Sequence, residues 1–162
     1  MAGADPADPV TATLRLLVAA VAAAAILFPA FTGVASASDA TLGAALHTWS
    51  RTIGMDARSI SRNARQRHPR LMTRSASRFR GDALRARGIV ARQRPSSAGG
   101  LRARGLAVRA FTSYATAGSK WAASGRARVR GRKRLATALA SGAALYARRG
   151  NRLLLAAGKL LP

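Results

Sequence analysis

The sequence predicts an all-α protein, an antiparallel four-helix bundle that follows an N-terminal signal (or anchor) segment. Three observations carry that expectation. Apolar and small residues recur at steps of three and four along four long runs. Short Pro-, Gly-, Ser- and Arg-rich links separate the runs. No alternating Val/Ile/Thr stretch and no Asn-Gly turn announces a strand. At 162 residues there is room for one domain.

The first element is the apolar stretch from Leu16 to Phe31, LLVAAVAAAAILFPAF. It is rich in alanine, interrupted by Pro29, and shorter than the roughly 20 apolar residues a spanning helix wants. Small residues ending in Ala35-Ser36-Ala37 follow, the small-x-small pattern of signal-peptidase cleavage, with the cut placed between Ala37 and Ser38. Residues 1–37 therefore read as a secretory signal and 38–162 as the exported domain, by the general route because no twin arginine precedes the apolar run. Asp5 and Asp8 oppose Arg15 in a region that should be positive, a conflict that translation from Val10 removes. The alternative is a single membrane anchor with the basic domain cytoplasmic, although only Arg51 falls in the window where positive charge directs orientation.

Ser38 and Asp39 are expected to cap the first helix, since their side-chain oxygens suit the free N–H groups of a first turn. Leu42, Leu46, Trp49, Ile53, Ala57, Ile60 and Ala64 then mark one helical face. His68-Pro69 interrupts it, because proline disfavours helix in the residue before it. The second face carries Met72, Ala76, Phe79, Ala83, Ala86 and Val90. The link RPSSAGG offers Ser96 or Ser97 as the next cap. Ala103, Ala107, Ala110, Tyr114, Ala117 and Trp121 form the third face, with Phe111 beside it, and the helix is expected to fray into GRARVRGRKR. The fourth face is assigned to Leu135, Leu139, Gly142, Tyr146, Leu153, Ala157 and Leu160. Up-down-up-down connection by short links is the simplest arrangement of such helices. Glycines inside the runs either permit close helix approach or weaken the helices, at about 1 kcal/mol each against alanine.

The residue inventory argues against an enzyme. Cysteine and glutamate are absent, which removes thiolate chemistry and Cys-based metal sites. Beyond residue 37 the proton carriers are His47, His68, Asp39, Asp56 and Asp82, in no metal-binding or triad spacing. SSAGGLRARG lacks the phosphate-loop pattern and a preceding strand. No cofactor, metal or small-molecule substrate is inferred. The aromatic residues share the helical period and are expected in the core rather than as base-stacking platforms.

Charge is the informative feature. Lys+Arg 28 against Asp+Glu 5 gives +23 overall. All basic residues but Arg15 lie beyond residue 37, with only three of the acids. Arg58, Arg62, Arg65, Arg67 and Arg70 form one cluster, and Arg126, Arg128, Arg130, Arg132, Lys133 and Arg134 another. In an antiparallel bundle the links carrying them fall at one end, and both clusters become one cationic pole. The guanidinium fork suits phosphate and carboxylate.

The expected function is accordingly an exported, non-enzymatic basic protein, secreted or in the cell envelope, associating with anionic envelope polymers or acidic lipid. The alternative is a nucleic-acid-binding protein without sequence preference, membrane-anchored or extracellular, held by phosphate contacts. Membrane disruption fits less well, because the helical faces carry alanine rather than bulky apolar residues. The Ala/Arg bias suggests a GC-rich bacterial genome. A glutamate-free Arg/Ala composition also arises from a non-coding frame of such DNA, a chain without defined activity. The ordered succession of signal, cleavage motif, cap and periodic runs argues against that origin.

Overall fold

The computed structural model describes residues 37–161. Four helices account for nearly all of them: α1 (Ala37–Arg65), α2 (Pro69–Arg92), α3 (Ala98–Val129) and α4 (Lys133–Gly158). The described residues form an all-α antiparallel four-helix bundle without strands. Cross-helix contacts fix the directions: the Asn63 amide donates to Ser75 Oγ at 2.9 Å, Gly118 abuts Phe79 and Arg80, and the Tyr114 hydroxyl donates to Asn151 Oδ1 at 2.6 Å. Packing is closest between consecutive helices, and α1 also reaches α3. The apolar stretch 16–31 and Ala35 of the expected cleavage motif lie outside the described residues, whereas Ala37 and Ser38 open α1. Among the described residues no helix is long and apolar enough to cross a membrane.

Two boundaries differ from expectation. Ser38 and Asp39 lie inside the first turn of α1 rather than capping it. The buried Asp39 carboxylate instead accepts the N–H groups of Ser96 (3.0 Å) and Ser97 (3.5 Å), donors left unpaired just ahead of α3. Ser97 is then the α3 cap, its Oγ accepting the Gly100 N–H at 2.8 Å. The end of α3 does not fray: the helix continues to Val129, because Trp121, Ser124, Gly125 and Ala127 towards its end are buried against neighbours.

The second face is buried as expected, Met72 through Val90, joined by Asp82. All six residues of the third face are buried, with Phe111. On α1 the leucines and isoleucines are buried, while Trp49 and Ala64 pack at the margin. The fourth face was misplaced. The buried side of α4 is Ala136, Ala140, Ala143, Ala144, Ala147, Gly150, Asn151, Leu154 and Ala157. Leu135 and Leu160 are exposed, and Leu139, Gly142, Tyr146 and Leu153 are half-buried flanks. Ala157 alone is shared by the two sets. The physical reason is proximity: from Ala136 to Gly150 α3 comes so near that small side chains face it and the bulky residues lie to the sides, and only beyond Gly150 are Asn151 and Leu154 buried.

Glycine makes that approach possible at particular points. A Cβ on Gly150 would stand 2.7 Å from the Tyr114 ring, and one on Gly118 would stand 2.9 Å from Arg80 Cβ. A Cβ on Gly125 would stand 2.9 Å from the Pro69 carbonyl oxygen. Into the room so created go the large rings: Phe79 stacks edge-on with Tyr114 (centroids 6.0 Å apart) and with Trp121 (5.5 Å), and Tyr114 meets Phe111 at 6.1 Å. Ser124 Oγ donates to the Ala136 carbonyl at 2.7 Å, pinning the end of α3 to the start of α4.

The two hairpins, α1–α2 and α3–α4, repeat one another at a constant offset. Buried positions correspond pair by pair: Leu46 with Ala110, Ile53 with Ala117, Ala57 with Trp121, Met72 with Ala136, Phe79 with Ala143, and Val90 with Leu154. Gly54 with Gly118, Ala76 with Ala140 and Ala83 with Ala147 are identical. Leu46 and Ile53 on α1 answer to alanines on α3, and Met72 and Phe79 on α2 to alanines on α4, while Ala57 answers to Trp121, so the same burial pattern is built from different volumes.

Asp56 and Asp82 face each other across α1 and α2, both buried. Arg78 Nε reaches Asp56 Oδ1 at 3.4 Å and Asp82 Oδ2 at 3.7 Å, and Arg85 Nη1 holds Asp82 Oδ1 at 3.1 Å. Asp56 Oδ2 is buried with no donor beside it. Burial, a hydrogen bond to Asp82 and repulsion from its charge raise the Asp56 carboxyl to about 6, against the opposing pull of Arg78.

The packing sets the sign of two glycine substitutions. Gly150→Ala should destabilise the bundle, since crowding of the Tyr114 ring at about 1–3 kcal/mol exceeds the helical gain of about 1 kcal/mol. Gly88→Ala, with nothing within 4 Å of its Cβ, should stabilise it by that gain; urea unfolding reads both signs. For Asp56, a folded-state pKa above the unfolded one gives stability that is full below about pH 4 and lost as pH rises through about 6. The urea midpoint should fall between pH 4 and 7, and Asp56→Asn should flatten that part of the profile.

Candidate functional site

The α1–α2 and α3–α4 links lie at the same end of the bundle, where Ala64 of α1 also packs on Ala140 of α4. Both links are built alike. At the end of α1 the His68 N–H bonds the Asn63 carbonyl (2.9 Å) and the Arg67 N–H bonds that of Ala64 (3.2 Å). At the end of α3 the Arg132 N–H bonds the Ala127 carbonyl (2.9 Å) and the Gly131 N–H that of Arg128 (3.0 Å). These are paired Schellman closures, with Arg67 (φ 56°) and Gly131 (φ 69°) in the left-handed conformation the motif demands. His68 and Arg132 then lead into the next helices with similar backbone angles, and neither side chain caps. Tight turns of this kind set the basic side chains around them on a short, fixed scaffold.

The sequence-predicted cluster residues gather here. Arg62 and Arg65 end α1, Arg67 is in its turn, and Arg70 is in the first turn of α2. Arg126 and Arg128 end α3, Arg130 and Arg132 are in the second turn, and Lys133 and Arg134 begin α4. Arg58 stands farther back, two turns from the end of α1. Most of these side chains are exposed; Arg128 is half-buried. Arg70, Thr73, Arg126, Val129 and Arg130 line an open cleft of about 290 Å³ between the start of α2 and the end of α3. The cleft exists because Gly125 lets Thr73 and the Pro69 carbonyl press against α3. No acid lies on α3 or α4, and Asp56 and Asp82 are recessed along α1 and α2.

Sequence reasoning missed that the opposite end is basic too. Arg92, Arg94, Arg102 and Arg104 surround the α2–α3 link, and the chain near Lys159 returns there, Leu160 lying against Gly99. The signal was present in RQRPSS and LRARG, read only as a turn and a helix start. That end differs in kind: Asp39 is buried beneath the link, and Arg104 Nη1 is engaged by the Gln93 carbonyl at 3.0 Å. The aromatic rings are not available as stacking platforms at either end, since Phe79, Phe111, Tyr114 and Trp121 are buried. Tyr146 is half-buried beneath Lys120, whose Nζ stands 5.6 Å from the ring centre. His47 is exposed on α1 and His68 in the first turn.

Arg67 in the left-handed region carries a steric cost that glycine avoids. Arg67→Gly should therefore raise the unfolding free energy by about 1 kcal/mol, the left-handed penalty of about 1–2 kcal/mol less the extra chain entropy of glycine, while removing one charge from the pole; an unchanged or lowered urea midpoint would contradict the turn geometry. Compared with family models, with curated proteins and with solved structures, the chain matches none.

Proposed function

We propose that the chain is an exported, non-enzymatic basic protein that holds anionic polymers of the cell envelope at the end formed by the α1–α2 and α3–α4 links. The observation that carries this reading is the merging of two sequence-distant arginine clusters at one end, where the described residues of both links and the adjoining turns hold no acid. Self-repulsion among such charges opposes compaction and is relieved by a polyanion. A non-catalytic role is supported by the chemistry available there: beside arginines and one lysine, His68 is the one other ionisable side chain of the two links. Export rests on the signal-like stretch and the Ala35-Ser36-Ala37 motif.

Acidic lipid and nucleic acid are the competing partners. Both offer phosphates, and with Phe79, Phe111, Tyr114 and Trp121 buried, single-stranded nucleic acid would be held chiefly by phosphate contacts.

The test is a salt gradient on immobilised heparin. Affinity should fall by about 10³-fold or more between 50 and 200 mM salt, and the combined change of Arg62, Arg65, Arg132 and Arg134 to Gln should bring elution to markedly lower salt. Release of the unaltered protein at low salt overturns polyanion binding. Stronger retention on anionic vesicles or DNA than on envelope polymer reassigns the partner. Mass determination of the N-terminus from cells and medium tests export separately: a start at Ser38 in the medium supports it, and retention of residues 1–37 contradicts it.

A further inference from the structure

We infer that the cleft between the first turn of α2 and the last turn of α3 seats a single phosphate group of the bound polyanion. This assignment rests on the polyanion reading above and adds the chemistry that the site prefers. Arg70 comes from one sequence cluster, and Arg126 and Arg130 come from the other. The last two are four residues apart and so project from one side of the same helical end.

Three properties distinguish this place from the rest of the basic surface. The first is convergence. Three arginine residues from two sequence-distant clusters line one concavity of about 290 Å³, at the small end of the range for ligand clefts. Among the described residues, none of the three is engaged in an ion pair or a side-chain hydrogen bond. The second is rigidity of the base. Thr73 Oγ donates to the Pro69 carbonyl at 2.9 Å, and both abut Gly125, so the roots of the arginines are held at fixed spacing before any ligand arrives. Preorganised donors lose less ordering entropy on binding. The third is the lining: Val129 supplies an apolar wall beside the charges, suited to the carbon next to an ester oxygen.

The shape of the donor set favours phosphate over carboxylate. A carboxylate is planar and presents one edge to one or two guanidinium forks. Phosphate is tetrahedral and directs oxygens to three approaching groups at once. With the Thr73 hydroxyl proton committed to Pro69, the guanidinium N–H groups are the donors that the cleft walls supply.

The experiment compares salt-dependent release from two immobilised polyanions, polyphosphate and polyglutamate, for three forms of the full chain. These are the unaltered protein, the cleft variant Arg70→Gln/Arg126→Gln/Arg130→Gln, and a variant with equal charge loss at the other end, Arg92→Gln/Arg94→Gln/Arg102→Gln. The unaltered protein should be retained more strongly on polyphosphate. The cleft variant should lose about tenfold or more in polyphosphate affinity and with it the preference, whereas the far-end variant should keep the preference. Equal loss on both polymers in the cleft variant, or no preference in the unaltered protein, overturns the phosphate seat and leaves polyanion binding standing. Release of the unaltered protein from both at low salt overturns both readings. Circular dichroism checks that the variants remain helical. Calorimetry of the unaltered protein with inorganic phosphate gives an answer free of any variant: one saturable site per chain is expected, and heats that never saturate contradict it.

Discussion

The close approach of α3 to its neighbours governs the rest of the structure. A chain carrying this much positive charge must hold together against its own repulsion, and α4 gives the core mostly alanine, with Leu154 its one buried leucine. The bundle brings helix axes near each other at Gly118, Gly125 and Gly150 and spends the resulting space on a few rings. Phe79 sits between Tyr114 and Trp121, so one aromatic residue of α2 engages two of α3. Tyr114 carries the linkage onward through Asn151 to α4. Burial raises the Tyr114 phenol well above its ordinary range, which favours the protonated form that donates to Asn151.

The same proximity shapes the basic end. Because Gly125 admits Thr73 and Pro69, the start of α2 lies directly against the end of α3, and clusters distant in sequence face one cleft. A bulkier residue there would separate the helices and spread the arginines apart. The few acids of the described chain serve the scaffold rather than the surface. Asp39 supplies an acceptor to the link before α3, and Asp56 with Asp82 joins α1 to α2 under two arginines. None of them lies at the end where the two arginine-rich turns meet.

Much of the architecture was legible in the residues, for identifiable reasons. The second face was readable because Met72, Phe79 and Val90 alternate with alanines at helical steps, so bulk and period agreed. The coincidence of both links at one end followed from antiparallel connection alone. On α4 bulk and period disagreed. Leu135, Leu139 and Leu153 look like a core stripe, yet the core is Ala140, Ala143, Ala147 and Gly150, because the space left by α3 admits nothing larger. Asp39 was misread for a related reason: its partner, the link before α3, is near only after folding. The cleft was invisible too, since it depends on one glycine contact between residues far apart in sequence. The repetition of the two hairpins is carried by burial rather than identity, and exchange of large for small residues hid it.

The account's central claim is that partner contact is localised at one end of a bundle that is basic at both. Chemical-shift mapping of labelled residues 38–162 titrated with a short polyanion tests it most directly. The predicted result is that amide perturbations concentrate at residues 62–73 and 126–134, with Arg92, Arg94, Arg102 and Arg104 little changed. Equal perturbation at both ends, or shifts spread along the helices in proportion to charge, would contradict it.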